Sequence, residues 1–346
     1  MITDKNTYAV LLAGGKGTRL WPLSTEFCSK SFVRIGKRKS LISEAIDRLR
    51  GVIDRKNIII VVDKTQETLL KNSAKRIPVR NILVEPFGRS TASAVGLAAI
   101  KLKADDVMVV LPTDSLIRGK KGFTKAIKNA VGFARREKNV LLSIGVKPKE
   151  ASTAYGYIKI GPRAAGNIYP VDKFMEKPSK KVAEHLVKSA SYLWNSGIFV
   201  FRAGDILAAV KKHAPILHRE LERIRKNKKN IKNAYSRMKN VSIDYQIMEK
   251  AKNLHCAKGD FYWHDLGNWR SLEKLLKKDR RGNASFGKIT MVDIRDSIVY
   301  NSASGKLGVT GLRGMVVART ENGMLVCPKK DAERVKELAT KLNIKR

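Results

Sequence analysis

The residues best suited to chemistry lie directly after the first apolar run, residues 8–12. There the chain reads Ala13-Gly-Gly-Lys-Gly-Thr-Arg-Leu-Trp-Pro-Leu-Ser24, with Lys30 close behind. Glycines 14, 15 and 17 permit positive φ and carry no Cβ, so backbone N–H groups can approach phosphate oxygens closely. Arg19 adds a planar donor fork that is always charged, and Lys30 adds a point charge. The run lacks the third glycine of a dinucleotide fingerprint, and it is not the G-x-x-x-x-G-K-[ST] of a Walker loop. Two aspartates stand in separate turns: Asp114 in Leu111-Pro-Thr-Asp114, and Asp265 in Trp263-His-Asp-Leu-Gly-Asn-Trp269. A divalent cation bridging a triphosphate and its acceptor needs carboxylate oxygens. One or two suffice, because substrate oxygens and water complete the octahedron. A phosphate-cradling loop with two such turns suits nucleotidyl transfer better than hydrolysis. Tyr155-Gly-Tyr157, Glu176-Lys-Pro178 and Trp194-Asn-Ser-Gly197 form a candidate acceptor site. Glu176 and Asn195 can hydrogen-bond sugar hydroxyls, Lys177 can meet a sugar phosphate, and Gly156 lets backbone groups approach a ring.

The elements around these residues alternate. Short Val-, Ile- and Leu-rich runs at 8–12, 58–62, 82–84, 107–111 and 140–144 read as buried strands of a largely parallel sheet. Leu41, Ile42, Ala45, Ile46 and Leu49 share one helical face. Ser90 or Thr91 is placed to cap a helix carrying Ala94, Val95, Leu97, Ala98 and Leu102. Such an open α/β sheet takes its ligands at the carboxyl ends of the strands, where both the Gly-rich loop and the Asp114 turn fall. Strands are expected at 155–160, 171–176 and 198–201, around a helix with Val182, Ala183, Leu186 and Val187; residues 205–252 read as helical. After residue 281 short strands (288–292, 297–300, 315–319, 324–327) alternate with Gly and Asn turns, and an amphipathic helix over 332–342 closes the chain. The expected division is 1–281 and 282–346.

The 346 residues are enough for a full core, and 29% charged against 43% hydrophobic residues fits a soluble globular protein. No apolar run approaches the ~20 residues of a membrane span, and the first residues lack the apolar core of a signal peptide. Cys28, Cys256 and Cys327 suggest neither a disulfide framework nor a zinc site, so a reducing cytoplasm is expected. Seventy Lys plus Arg against 31 Asp plus Glu leave a charge of +39. The basic residues are spread along the chain, and the dense run over 223–230 reads as a solvated helix end and loop. No nucleic-acid-binding motif accompanies them, so no specific nucleic-acid partner and no membrane partner is expected. A positive field of this size draws in nucleoside triphosphates and sugar phosphates.

The loop signature, taken with Glu85-Pro-Phe-Gly-Arg-Ser-Thr91, Leu111-Pro-Thr-Asp114, Thr153-Ala-Tyr-Gly-Tyr157, Phe174-Met-Glu-Lys-Pro178, Trp194-Asn-Ser-Gly197, Ser242-Ile-Asp-Tyr245 and Trp263-His-Asp-Leu-Gly-Asn-Trp269, resembles the mannose-1-phosphate guanylyltransferase family of the sugar-1-phosphate nucleotidyltransferases, over residues 8 to 330. The resemblance implies an α/β fold: a Rossmann-like nucleotidyltransferase domain with a mixed, mainly parallel sheet, followed by a small left-handed β-helix domain. It implies GTP and mannose 1-phosphate as substrates, Mg²⁺ on Asp114 and Asp265, and a homodimer. Arg19 and Lys30 would meet the triphosphate. Leu12, Ala13, Gly14, Gly15, Gly17, Thr18, Glu85, Arg89, Ser90, Thr91 and Pro112 would bind the nucleotide. Tyr155, Gly156, Glu176, Lys177 and Asn195 would hold the sugar phosphate. The implied chemistry is in-line attack of the sugar phosphate on the α-phosphorus, which needs no general base and rests on alignment and charge neutralisation. The five histidines are accordingly read as structural, with His264 close enough in sequence to Asp265 to reach the site.

Several positions depart from the family pattern: Ser29 for Pro, Ser90 and Ser93 for Asn and Pro, Ser115 for His, Ala154 for Gly, and Asn268 for Ser. None removes a metal ligand or principal cation. They leave open a different sugar 1-phosphate or nucleoside triphosphate, or a non-catalytic pyrophosphorylase subunit.

Overall fold

The computed structural model describes residues 6–15, 17–36 and 38–344; Lys16 of the loop motif lies outside them. A nine-stranded sheet organises the first 265 residues, in the order β3-β2-β1-β4-β9-β6-β10-β8-β7. Its strands are β1 (Thr7–Leu12), β2 (Ile58–Asp63), β3 (Ile82–Glu85), β4 (Val107–Pro112), β6 (Leu141–Val146), β7 (Tyr157–Ile160), β8 (Ile168–Met175), β9 (Tyr192–Arg202) and β10 (Leu254–Gly259). The apolar runs are continuous because both faces are covered. Ala9, Leu11, Ile58, Ile60, Val107 and Val109 face the helices Leu41–Arg48 and Lys120–Arg136. Val10, Ile59, Met108 and Val110 face the helices Ser90–Ala99, Ala203–His213 and Pro215–Lys226. Alternate residues thus feed two cores, as the strand period of two requires.

The sheet is mixed, but it is not mainly parallel. Parallel pairing holds β3, β2, β1 and β4 together and joins β6 to β10. The remaining pairings of the sheet are antiparallel, including both edges of β9. The reason is topological: β7 and β8 pair antiparallel with no helix between them, the helix Lys180–Leu186 returns the chain antiparallel to β7, and β9 inserts between β4 and β6. The 194–197 motif, which precedes the strand expected at 198–201, therefore lies within the eleven-residue strand β9. Gly197, at φ 70°, and a register shift opposite Ser143 and Gly145 kink that strand.

Five strands fall outside the expected set: β10 of the large sheet, two small-sheet strands over Ala284–Phe286 and Leu307–Thr310, and a separate pair. β5 (Ser115–Arg118) and β11 (Tyr262–Asp265) form a separate antiparallel pair with Ser115 opposite Asp265. After residue 283 short strands stack in two small sheets: β12 (Ala284–Phe286), β14 (Ile298–Asn301), β16 (Met315–Thr320) and β17 (Gly323–Pro328), and beside them β13 (Ile289–Val292) and β15 (Leu307–Thr310). The rungs are parallel until β17 reverses. The closing helix spans Val335–Ile344, preceded by a 3-10 turn over Lys329–Arg334. A shared core joins the small sheets to the segment after β1: Leu20, Val33 and Leu41 pack with Trp269, Tyr300, Val316 and Val335. Trp269 Nε1 donates to Trp21 O at 3.0 Å, and Thr320 Oγ1 donates to Pro22 O at 3.1 Å.

The basic 223–230 run is only partly solvated. Arg223, with Arg219 and Arg237, surrounds the buried carboxylate of Glu220. Burial alone would raise the Glu220 pKa, but the three guanidinium groups outweigh it and keep the group ionised. Among the described residues no helix is long and apolar enough to cross a membrane.

Candidate active site

The carboxyl ends of β1, β2 and β3 open on a cavity of about 750 Å³, lined by Leu12, Gly14, Gly15, Asp63, Glu85 and the 86–91 turn. Gly15 stands at φ 104° and Gly17 at φ 60°, so the glycine-rich loop needs its left-handed freedom. A Cβ on Gly17 would lie 2.6 Å from Lys30 Cβ. Of the expected nucleotide residues, Leu12, Gly14, Gly15, Glu85, Arg89, Ser90 and Thr91 meet in this cavity. Ala13, Gly17, Thr18 and Pro112 do not line it. The Ala13 amide is spent on Val61 O at 2.9 Å, and Thr18 opens the 3-10 turn Thr18–Leu20.

The helix after Arg89 lacks the expected cap. Ser90 sits at φ 67°, and no side chain caps the first turn. Thr91 Oγ1 instead accepts from Ile243 N at 2.9 Å, tying the turn to the helical insert. Arg89 Nε donates to Tyr235 O at 2.9 Å while its guanidinium lies 4.8 Å from the centre of the Phe87 ring. Ser93, where the family has Pro, donates to Ser90 O at 2.9 Å and lies 3.4 Å from Glu85 Oε1. Glu85 is buried, and that burial pushes its pKa up to about 7. Asp63 pushes the same way, while the Tyr235 and Ser93 hydroxyls oppose.

The next strand end along the sheet, that of β4, carries Asp114. The β5–β11 pairing sets it beside Asp265, because Ser115 is the residue opposite. Lys30 Nζ sits between the two carboxylates, 2.7 Å from Asp114 Oδ2 and 3.1 Å from Asp265 Oδ1. Lys30 is 7% exposed, whereas each carboxylate is about one-third exposed (33%). Burial works against charge on Asp114, but the ammonium, by its charge and hydrogen bond, holds the carboxyl below its usual range; Arg19 helps. Burial likewise opposes charge on Lys30, and the two carboxylates overcome it and raise its pKa.

Ser29 explains how a chain without proline there still presents Lys30. Its amide donates to Gln66 Oε1 at 2.7 Å, a bond a proline cannot make. Among the described residues no three His, Cys, Asp or Glu groups converge on one point. The Asp114–Asp265 pair is nevertheless a hard-oxygen site that already attracts a cation. Two carboxylates with solvent access suit a small divalent ion that completes its shell from substrate and water.

The third part of the site follows on β9 and its neighbours. Gly197 lies against Pro112 at the end of β4. Asn195 Nδ2 donates to Asp244 Oδ1 at 2.8 Å, and its Oδ1 accepts from Ser143 Oγ at 2.9 Å. A Cβ on Gly156 would collide with Glu176 Oε2, a buried oxygen with no hydrogen-bond partner among the described residues. Burial, then the nearby Asp244 charge, push the Glu176 pKa up to about 7 against the pull of Lys177. Lys177, at φ 49°, places Nζ 3.1 Å from Glu176 Oε1 and 6.0 Å from the centre of the Tyr245 ring. Gly156, Glu176, Lys177 and Asn195 therefore meet, as expected.

Tyr155 does not join them at the surface. It is buried edge-on against Trp194 and Trp263, with ring centres 5.0 and 4.9 Å apart. Its hydroxyl is 3.5 Å from His264 Nε2, and His264 Nδ1 is 2.7 Å from Asp265 O. Burial, with help from Lys274, lowers the His264 pKa, so the neutral ring braces β11 from behind.

Two residues escaped the sequence reading. Asp244 lies inside the quoted Ser242-Ile-Asp-Tyr245 motif, but nothing local shows that it faces Asn195. Glu333 carries no motif at all. It lies in the 3-10 turn over Lys329–Arg334, and its Oε2 accepts from Arg19 Nη1 at 2.8 Å.

The chain matches the family model described as Nucleotidyl transferase over residues 8–282, and the MannoseP isomerase/GMP-like beta-helix domain over residues 287–342. It is 32% identical over 357 residues to the mannose-1-phosphate guanylyltransferase of Escherichia coli, covering 97% of this chain and 75% of that protein. It is 34% identical over 350 residues to the alginate biosynthesis protein AlgA of Pseudomonas fluorescens, covering 96% and 71%. Its backbone matches the crystal structure of mannose-1-phosphate geranyltransferase from Thermus thermophilus with a TM-score of 0.88 and 32% identity, over 98% of this chain and 99% of that one.

Proposed function

Because the chain belongs to the mannose-1-phosphate guanylyltransferase family and is a nucleotidyltransferase with a C-terminal beta-helix domain, we propose that it transfers GMP from GTP to α-D-mannose 1-phosphate and releases pyrophosphate. In this reading residues 1–281 form the catalytic unit, and 282–346 form a short left-handed β-helix that buttresses it. The observation that carries the reading is the order of parts along one sheet edge. A cavity large enough for a nucleoside lies at β3, β2 and β1, the Asp114–Asp265 pair at β4, and the Glu176–Asn195 cluster at β9. That order matches base, phosphates and sugar in a nucleotide sugar.

The chain's residues have distinct tasks. Glu85 offers two acceptor oxygens to the adjacent N1–H and N2–H donors of guanine, a pair adenine lacks. Arg19 and Lys30 neutralise the triphosphate oxygens and hold the α-phosphorus in line with the incoming oxygen. Lys177 meets the sugar phosphate, while Glu176 and Asn195, set by Asp244, hold ring hydroxyls. Mg²⁺ fits on Asp114 and Asp265; when bound it supplies charge neutralisation at the phosphates. A sugar phosphate is already ionised, so none of these residues has to remove a proton.

Crossing GTP, ATP, UTP and dTTP with mannose, glucose and other hexose 1-phosphates in a pyrophosphate-release assay tests the proposal. Release confined to GTP with mannose 1-phosphate is the expected result. Preferred turnover of another pair reassigns the substrates within the family, and no turnover with any pair overturns the proposal.

The pH profile tests the role of Glu85. Its carboxyl must be ionised to accept from both guanine donors, and its pKa in the free protein is raised to about 7. The value of kcat/KM for GTP is therefore expected to rise with pH through about 7 and flatten above it. Glu85→Gln should remove that step and reduce the preference for GTP over ATP by roughly tenfold, the scale of one lost base-reading contact. An unchanged profile in Glu85→Gln would assign the step to another group.

A further inference from the structure

The C-terminal domain reaches the phosphate loop and the Asp265 turn through the side chain of Glu333. Glu333 sits in the turn between β17 and the closing helix, flanked by the buried Ala332 and Val335. One carboxylate oxygen accepts from Arg19 Nη1 at 2.8 Å, and the other accepts from Asn268 Nδ2. Arg19 belongs to the phosphate loop. Asn268 follows Asp265 by three residues, and its Oδ1 accepts from Ser271 N at 3.0 Å to cap the helix Trp269–Leu272. Glu333 therefore clamps the phosphate loop and the Asp265 turn to each other from a third, distant segment.

The energetics say what such a clamp is for. The Arg19 and Glu333 side chains are 41% and 57% exposed. An ion pair in that setting contributes little to fold stability. What it does set is direction. Arg19 is a long side chain with several rotamers, and ordering it costs entropy. The contact uses only Nη1, and the other guanidinium donors have no partner among the described residues. A Cβ on Gly267 would lie 2.6 Å from Asp265 Oδ2 and 3.9 Å from Arg19 Nη1, so the guanidinium and the Asp265 carboxylate flank the same glycine. The guanidinium is thus held near Gly267 of the Asp265 turn, with its remaining donors unpartnered among the described residues.

We propose that Glu333 is a positioning residue. From the C-terminal domain it pre-orients Arg19 for the phosphates of the nucleotide and of released pyrophosphate, so that the domain completes the active site. This rests on the proposed placement of the triphosphate at Arg19. The packing makes the contact durable: Leu20, next to Arg19, and Ala332, next to Glu333, lie in the same buried core as Trp269.

Calorimetric titration of inorganic pyrophosphate, with Mg²⁺ present, tests the proposal without reference to base or sugar. Four proteins are compared: the native chain, Arg19→Ala, Glu333→Ala and the double variant. Loss of the Arg19 fork should weaken binding about thirtyfold, and loss of its orientation about fivefold. The double variant should bind no more weakly than Arg19→Ala alone, because Glu333 acts through Arg19. Glu333→Gln, which keeps an acceptor and the side-chain shape, should lose about twofold. In turnover, the loss in Glu333→Ala should appear in the nucleotide KM more than in kcat. Unchanged or tighter binding in Glu333→Ala overturns the proposal, since tighter binding would make Glu333 a competitor of the phosphates. Additive losses in the double variant overturn it too, by showing a route that bypasses Arg19. Native protein that binds no pyrophosphate would instead remove the triphosphate placement itself.

Discussion

Asp114→Asn is expected to cut turnover by at least about a thousandfold while leaving the fold intact, equivalent to roughly 4 kcal/mol of transition-state stabilisation. The substitution keeps the shape of the side chain and an oxygen that can accept from Lys30 Nζ, now 2.7 Å away. What it removes is a full negative charge, and that charge is secure. The carboxyl is held ionised by the Lys30 ammonium despite its burial. A neutral amide binds a hard divalent cation far less well than a carboxylate does. Only one other described carboxylate, Asp265, contacts Lys30 alongside it to share the task. Steady-state rates across a Mg²⁺ titration check this. Turnover within tenfold of the native chain at saturating Mg²⁺ would sink the assignment of Asp114.

Lys30→Met should be nearly as damaging to turnover, and it should make the stability of the protein depend on metal. In the native chain the ammonium, 7% exposed, is the cation that separates Asp114 from Asp265. Methionine conserves most of the volume and leaves two carboxylates facing one another. Breaking a fully buried ion pair costs about 3–5 kcal/mol. Both carboxylates here keep about one-third of their surface in water (33%), so a discounted loss of about 2 kcal/mol is expected. In a chain of this size that lowers Tm by about 3 °C in EDTA. Adding Mg²⁺ should restore most of the loss in the variant and change the native chain less, because a divalent cation would take over the neutralising role. Melting curves with EDTA and with Mg²⁺ decide it. A variant as stable as the native chain in EDTA would mean that the ammonium does not neutralise the pair.

The two substitutions act on one arrangement from opposite sides, so their effects should not add. Asp114→Asn removes one of the two like charges that Lys30→Met leaves unpaired. In EDTA the double variant is therefore expected to be more stable than Lys30→Met alone. It should be no more active than either single variant.

Legibility in the sequence followed the range of the interactions. The β1 to β4 runs, the glycine-rich loop and the helix over 41–48 could be read because each is set by neighbours a few residues away: strand period, missing Cβ atoms, one apolar face. The Glu176–Asn195 cluster was read from residue type and motif order. The failures were equally physical. Ser90 offered a hydroxyl for a cap, yet the turn after Arg89 twists through φ 67° and leaves the first helical turn uncapped. The resemblance placed Tyr155 among the sugar-phosphate residues, but two tryptophans and His264 enclose it. The 194–197 motif stood just before an expected strand at 198–201, and pairing with β6 and β7 carries β9 through it.

By itself, the sequence determined which chemistry was available: a loop able to cradle phosphates, cations beside it, two aspartates in separate turns, and a set of groups able to hydrogen-bond hydroxyls. The tertiary structure alone decided that these groups share one site. Lys30 and Asp265 are 235 residues apart, and Arg19 and Glu333 are 314 apart. Their meeting depends on the register that puts Ser115 opposite Asp265 and on the core that seats the C-terminal turn against Leu20. Register and packing are properties of segments that find each other only in the folded chain, and no local period of the sequence encodes them.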